Sequence, residues 1–224
     1  TDRDNKMSIR SATLNRATVA MLDPIALRSL PYKVAAHAAM DAFVHALESY
    51  VSLNANSITD AMNLHAIELI SQNVRPFVSN RNNLEAGLKM LCGASLAAMG
   101  FSETGLGNIH CMARLVGAFF HVSHGLSNAV CLPYGAEFNL MACPEKFARI
   151  ALAMEENVQD LTALEAGRKA IEAIQRLNRD LGIPEKLREV GVKEDKLSEM
   201  ARFAFESNYN RWNPRYTTVE DFRS

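Results

Sequence analysis

Residues 31–53 read PYKVAAHAAMDAFVHALESYVSL, and this stretch decides the fold. Val34, Met40, Phe43, Val44 and Leu47 are apolar, and the last four stand three or four positions apart as on one face of a helix of period 3.6. The spacing predicts a helix over about 31–53. The same period carries on downstream. Ser57-Ile-Thr-Asp60 resembles a capping box and opens a second helix with Ala61, Met62, Ile67 and Leu69. Asn82 or Asn83 can cap a third, which ends near Gly100. Its Gly87, Gly93, Ala94, Ala97 and Ala98 let a neighbour approach closely, and it is expected to be the central, most buried helix. The turn Gly105-Leu-Gly107 leads to a helix near 108–119, and another follows His124-Gly125, interrupted near Pro133. Pro144 suits a first turn. Thr162-x-x-Glu165 is a capping box for a long helix ending at Leu181-Gly182, and an amphipathic helix covers about 193–207. The whole reads as an all-α bundle of roughly seven to nine helices.

Residues 1–24 differ. Segments 7–12 and 17–22 read as two short strands, the second closed by Asp23-Pro24. Two strands do not make a stable sheet alone. Residues 1–30 are therefore expected to be a remnant of a neighbouring domain, with 31–224 as the helical domain. The chain is expected to be a piece of a longer protein.

Composition narrows the function. Lys plus Arg number 24 against 25 Asp plus Glu, a net charge of −1 over 224 residues, which leaves no basic reserve for phosphates and argues against a nucleic-acid partner. Cys92, Cys111, Cys131 and Cys143 contain no C-x-x-C pair and read as reduced thiols in a cytoplasmic protein. Segment 115–136 has no formal charge, but His121, Ser123, His124, Ser127, Asn128 and Pro133 argue against a membrane span.

The chain lacks the usual nucleotide and hydrolase signatures. Gly105-Leu-Gly107-Asn-Ile-His110 begins like G-x-G-x-x-G and then fails, and Walker A, H-E-x-x-H and G-x-S-x-G are absent. What remains is two histidine clusters. Asp41 and His45 stand four apart on one helix face, either as a hydrogen-bonded surface pair or as half of a divalent-ion site. His37 also lies four from Asp41, but His37 and His45 are roughly 12 Å apart along the axis, so only one can partner Asp41. The second cluster holds His110, His121 and His124. On a straight helix His110 and His124 would stand roughly 21 Å apart, so a shared site requires a break within 117–123. His121 reads as a core histidine bonded to carbonyls.

Taken in order, several runs resemble one family. They are Asp23-Pro24, Leu30-Pro31, Met40-Asp-Ala-Phe-Val-His-Ala-Leu-Glu-Ser-Tyr50, Gly105-Leu-Gly-Asn-Ile-His110, Gly117-Ala118, His124-Gly-Leu-Ser-Asn-Ala129, Leu132-Pro133, Glu137-Phe-Asn139 and Asn213-Pro-Arg215. Together they resemble the iron-containing (group III) alcohol dehydrogenase family. The resemblance implies the C-terminal metal-binding helical domain, a dehydroquinate synthase-like bundle, preceded by the last strands of an α/β nucleotide-binding domain. It implies Asp41, His45, His110 and His124 as ligands of Fe2+ or Zn2+. One carboxylate and three neutral imidazoles leave such an ion a net charge of +1, suited to a Lewis acid. The implied reaction is reversible hydride transfer between an alcohol and NAD or NADP, giving an aldehyde or ketone. A homo-oligomer, a small alcohol or aldehyde substrate and no nucleic-acid or membrane partner are expected, and the fragment itself should turn over poorly. Glu48 reads as a solvated helix-face charge, with a hydrogen-bonding role behind a metal ligand as the alternative.

Two positions depart from the family pattern. Arg114 stands where a second histidine is usual, on the same face as His110, and is the candidate catalytic residue. It is expected to meet a substrate carboxylate, a cofactor phosphate or a protein acid. Ala38-Ala39 replaces a Thr-Gly pair. Two other readings stay open: a helical association module, and a relative of zinc-dependent glycerol dehydrogenase or maleylacetate reductase.

Overall fold

The computed structural model of the protein describes residues 17–223. Among them are nine α-helices: α1 (Tyr32–Val51), α2 (Ser57–Ser79), α3 (Leu84–Thr104), α4 (Asn108–Phe120), α5 (His124–Leu140), α6 (Pro144–Ala153), α7 (Ala163–Asp180), α8 (Leu197–Phe205) and α9 (Val219–Arg223). Short 3-10 turns fill several connections, and no strand occurs among the described residues. The expected strand at 17–22 forms no regular element: among the described residues no partner strand lies beside it to take its backbone hydrogen bonds. The expected strand at 7–12 lies outside the described residues. A single 3-10 turn, Pro24–Leu27, follows, capped by Asp23 Oδ1, which accepts from Ile25 N at 2.9 Å.

The centre of the bundle is α1, not α3. Twelve of its twenty residues are buried, and it packs on α2, α3, α5 and α6. Met40, Phe43 and Leu47 are wholly enclosed, each stabilising the bundle by about 1.5–3 kcal/mol. The α3 helix buries one narrow stripe of small residues, while Leu88 and Met99 are 41 % and 54 % exposed. The close approach foreseen for it is real, and the neighbour is α2: a methyl group at Gly93 would come within 2.8 Å of Ile70 Cγ1.

Local chemistry sets the helix ends. The α2 cap is Asn56, one residue before the expected Ser57, and Thr59 completes its capping box. Asn83 caps α3, and the Thr162/Glu165 box opens α7 as read from sequence. Gly105 ends α3 at φ 75°, a left-handed conformation, with the Trp212 ring 2.5 Å from where a side chain would start.

Two expectations about α4 and α5 are overturned. His121 is exposed rather than in the core: it adopts the left-handed conformation, φ 56°, that closes α4. The helix after His124 runs unbroken through Pro133. Proline leaves the carbonyl four residues back, that of Ala129, without its helical donor. Asn178 of α7 supplies one instead, its Nδ2 donating to Ala129 O at 2.7 Å. The expected helix over 193–207 divides into a 3-10 turn, Glu194–Lys196, followed by α8. All four cysteines are free thiols, and burial pushes Cys111 and Cys131 up to about 12, far from a reactive thiolate.

Candidate metal centre

Three helices meet at one point. The α1 helix carries Asp41 and His45 on one face, α4 carries His110 in its first turn, and α5 begins at His124. The reversal at residues 121–123 brings the last two side by side. One ligand atom from each of Asp41, His45, His110 and His124 lies within 4.8 Å of the others. Nε2 of His45 and Nε2 of His110 are 3.2 Å apart. Asp41 Oδ1 is 3.6 Å from His124 Nε2 and 3.9 Å from His110 Nε2. An ion with bonds of about 2.1 Å in tetrahedral geometry spaces its donors about 3.4 Å apart. These donors, one hard oxygen and three imidazole nitrogens, fit a borderline divalent cation such as Fe2+ or Zn2+.

The sequence left open whether His37 or His45 partners Asp41. The structure places His37 outside the cluster, its Nδ1 3.3 Å from Ser123 Oγ. Burial and the nearby Lys33 lower its pKa. His45 stacks on Phe101 with ring centroids 4.6 Å apart. Burial, then the neighbouring His110, lower its pKa to about 4, against a smaller raising effect of Asp41. The ring is therefore neutral at ordinary pH, the form that can ligate a metal.

Glu48 is the clearest revision. It is buried on α1, one turn beyond His45, and is no solvated charge. Its Oε2 accepts from His110 Nδ1 at 2.6 Å, and its Oε1 accepts from the Ile109 backbone N–H at 2.6 Å. A carboxylate accepts only, so the His110 proton sits on Nδ1 and the Nε2 lone pair faces the cluster. The same carboxylate caps α4, whose first turn has no side-chain cap of its own. Asn213 completes that cap: its Oδ1 accepts from Asn108 N at 3.3 Å, and it pairs with Asn139 at 2.7 Å.

Asn128, one turn after His124, was not among the candidate site residues of the sequence reading. Its Nδ2 donates to Asp41 Oδ1 at 2.5 Å and lies within 3.2 Å of His110 Nε2 and His124 Nε2. The signal for it was the i, i+4 spacing from His124. The His110 side chain is 2 % exposed, whereas Asp41 and His124 are 22 % and 27 % exposed, so the cluster opens to solvent on their side. Arg114 stands one turn after His110, half-buried, its guanidinium carbon 5.4 Å from the centroid of the Tyr209 ring. The edge of that ring meets His110, with centroids 6.4 Å apart.

Comparison with known proteins identifies the family. A model of the Fe-containing alcohol dehydrogenase family, C-terminal part, matches residues 35–224. The chain is 43 % identical over 201 residues to 1,3-propanediol dehydrogenase of Klebsiella pneumoniae, covering 90 % of this chain and 52 % of that protein. It is 37 % identical over 204 residues to NAD-dependent methanol dehydrogenase of Bacillus methanolicus, covering 91 % of this chain and 54 % of the relative. A crystal structure of 1,3-propanediol oxidoreductase superposes with a TM-score of 0.89 at 42 % identity, covering 90 % of this chain and 53 % of that one. The chain thus spans about half the length of the curated relatives it matches. With a matching family model over nearly all of its helical part, the chain belongs to the Fe-containing alcohol dehydrogenase family, whose C-terminal region it carries.

Proposed function

We propose that this chain is the metal-holding half of an NAD(P)-linked alcohol dehydrogenase, interconverting an alcohol with an aldehyde or ketone. Asp41, His45, His110 and His124 ligate its divalent ion, Fe2+ or Zn2+. The observation that carries the proposal is the convergence of these four donors from three helices within 4.8 Å. When bound, the ion supplies Lewis-acid polarisation of the substrate oxygen.

The chain's own residues do the rest. Glu48 holds the proton on His110 Nδ1, so the Nε2 lone pair of that ring faces the ion. The second negative charge also balances the positive charge left over at a divalent ion held by Asp41. Asn128 orients the Asp41 carboxylate through its Nδ2. Phe101 covers His45 and keeps water from that side, while the opening beside Asp41 and His124 admits the substrate. Arg114 faces reactants from one turn along α4. The nicotinamide comes from a nucleotide-binding domain to which residues 1–30 belong. The holoenzyme is a cytoplasmic homo-oligomer with no nucleic-acid or membrane partner; the near-neutral charge of the chain supports the lack of a nucleic-acid partner.

The test uses the full-length enzyme. Chelation should abolish NAD(P)-dependent alcohol oxidation, and Fe2+ or Zn2+ should restore it. His110→Ala should lower kcat by several orders of magnitude while the helical circular-dichroism signal persists. Undiminished activity after complete metal removal contradicts the proposal.

A further inference from the structure

Arg114 is a charged group near the cluster that the metal centre does not explain. It sits four residues after His110 on α4, so both side chains rise from the same helix face. Among the described residues no carboxylate lies within ion-pair distance of its guanidinium, and no hydrogen bond from it is made to them. Its contact is the face of Tyr209, a neutral ring. A guanidinium carries five N–H donors in a rigid fork, and leaving them unmatched in a half-buried place is unfavourable. A divalent ion with residual positive charge, one helical turn away, makes it more so. The protein acid expected from sequence as one possible partner is not found among the described residues.

The surroundings fit an anion that arrives from outside. Tyr209 neighbours both side chains, its ring face toward Arg114 and its edge toward His110, so it holds the guanidinium beside the cluster. A planar fork held in this way suits a carboxylate, which it can bind with two parallel hydrogen bonds. The cluster is also open to small molecules beside Asp41 and His124. Four residues of helix rise about 6 Å, a distance that a short carbon chain bridges. A cofactor phosphate is the other anion at hand. For hydride transfer, however, the nicotinamide ring must lie on the reacting carbon, and its nearest phosphate is a whole ribose further away. The group beside the ion is therefore the substrate.

We propose that Arg114 is a specificity-determining residue that selects substrates bearing a carboxylate a few carbons from the hydroxyl carbon, that is, short hydroxy acids and the corresponding aldehyde acids. This rests on the metal-centre reading above, and the experiment separates the two. The chain is loaded with Co2+, its stoichiometry is measured, and the visible absorption of the ion follows titration with 4-hydroxybutyrate, 1,4-butanediol or nicotinamide mononucleotide. The expected result is one ion per chain, with the hydroxy acid binding at least tenfold more tightly than the diol of equal length. Arg114→Gln should abolish that preference with metal stoichiometry unchanged, and Arg114→Lys should retain part of it. A loaded chain that binds acid and diol equally, or keeps its preference in Arg114→Gln, overturns the proposal and leaves the metal centre standing. Dependence on Arg114 of the mononucleotide alone overturns it in favour of the cofactor. A chain that takes up no Co2+ contradicts the metal centre itself and, with it, the proposal that rests on it.

Discussion

Replacing Glu48 by Gln keeps the shape of the side chain but presents an N–H2 group to either Ile109 N–H or His110 Nδ1–H, both of them donors. One of the two hydrogen bonds must fail, or the His110 proton must move to Nε2, the atom that would hold the ion. The expected outcome is a 10- to 100-fold lower affinity for Zn2+, read by isothermal titration. An unchanged affinity would mean that Glu48 acts only as a cap. His45 gives a second outcome at this scale. Its pKa is near 4 in the folded chain and 6.5 when unfolded. Above pH 6.5 both states are neutral and the full stability is present. As the pH falls from 6.5 toward 4, the unfolded chain gains a proton that the folded chain refuses, so the metal-free protein should lose stability over that window, of order 3 kcal/mol at most. Urea midpoints across this range check the direction, and stability that is flat from pH 7 to 4 would contradict it. Sequence disclosed these residues unevenly. Asp41 and His45 were legible because a single helix fixes their spacing. Glu48 looked solvated because what buries it, the first turn of α4, lies some sixty positions away in the chain.

At the scale of elements, one glycine ties packing to chemistry. Gly125 follows His124, and a methyl group there would collide with the backbone carbonyl oxygen of His37 on α1. Neither backbone can yield cheaply, so Gly125→Ala should push the start of α5 away from α1, and His124 away from Asp41. The expected outcome is a loss of about 1–3 kcal/mol in thermal unfolding, together with weaker metal binding. Stability lost with metal affinity intact would show that the two helices do not set the ligand geometry. Helix positions were legible from the 3.6 period and the caps, as at Asn83 and Thr162. What the period could not show was how helices share burial. The small residues of α3 suggested a central helix, but α3 packs on two helices, α2 and α1, and on the turn at Pro24–Leu27, whereas α1 meets four helices. Pro133 likewise promised a break that a side chain from another helix prevents.

For the whole molecule, the site depends on a bundle that holds three separate chain segments in register. The four ligand residues span 41 to 124, and the closing segment at Asn213 buttresses the helix that bears His110. Such a centre binds its ion only in the folded state, so metal and fold stabilise each other: free ion at a hundred times its Kd contributes about 2.7 kcal/mol. The most direct measurement is therefore metal stoichiometry joined to thermal unfolding, on the wild-type chain and on His110→Ala. The expected result is about one Fe2+ or Zn2+ per wild-type chain and a rise in Tm on loading. The folded His110→Ala chain should show neither. A well-folded wild-type chain that takes up no ion, or an ion whose binding ignores the loss of His110, would contradict it.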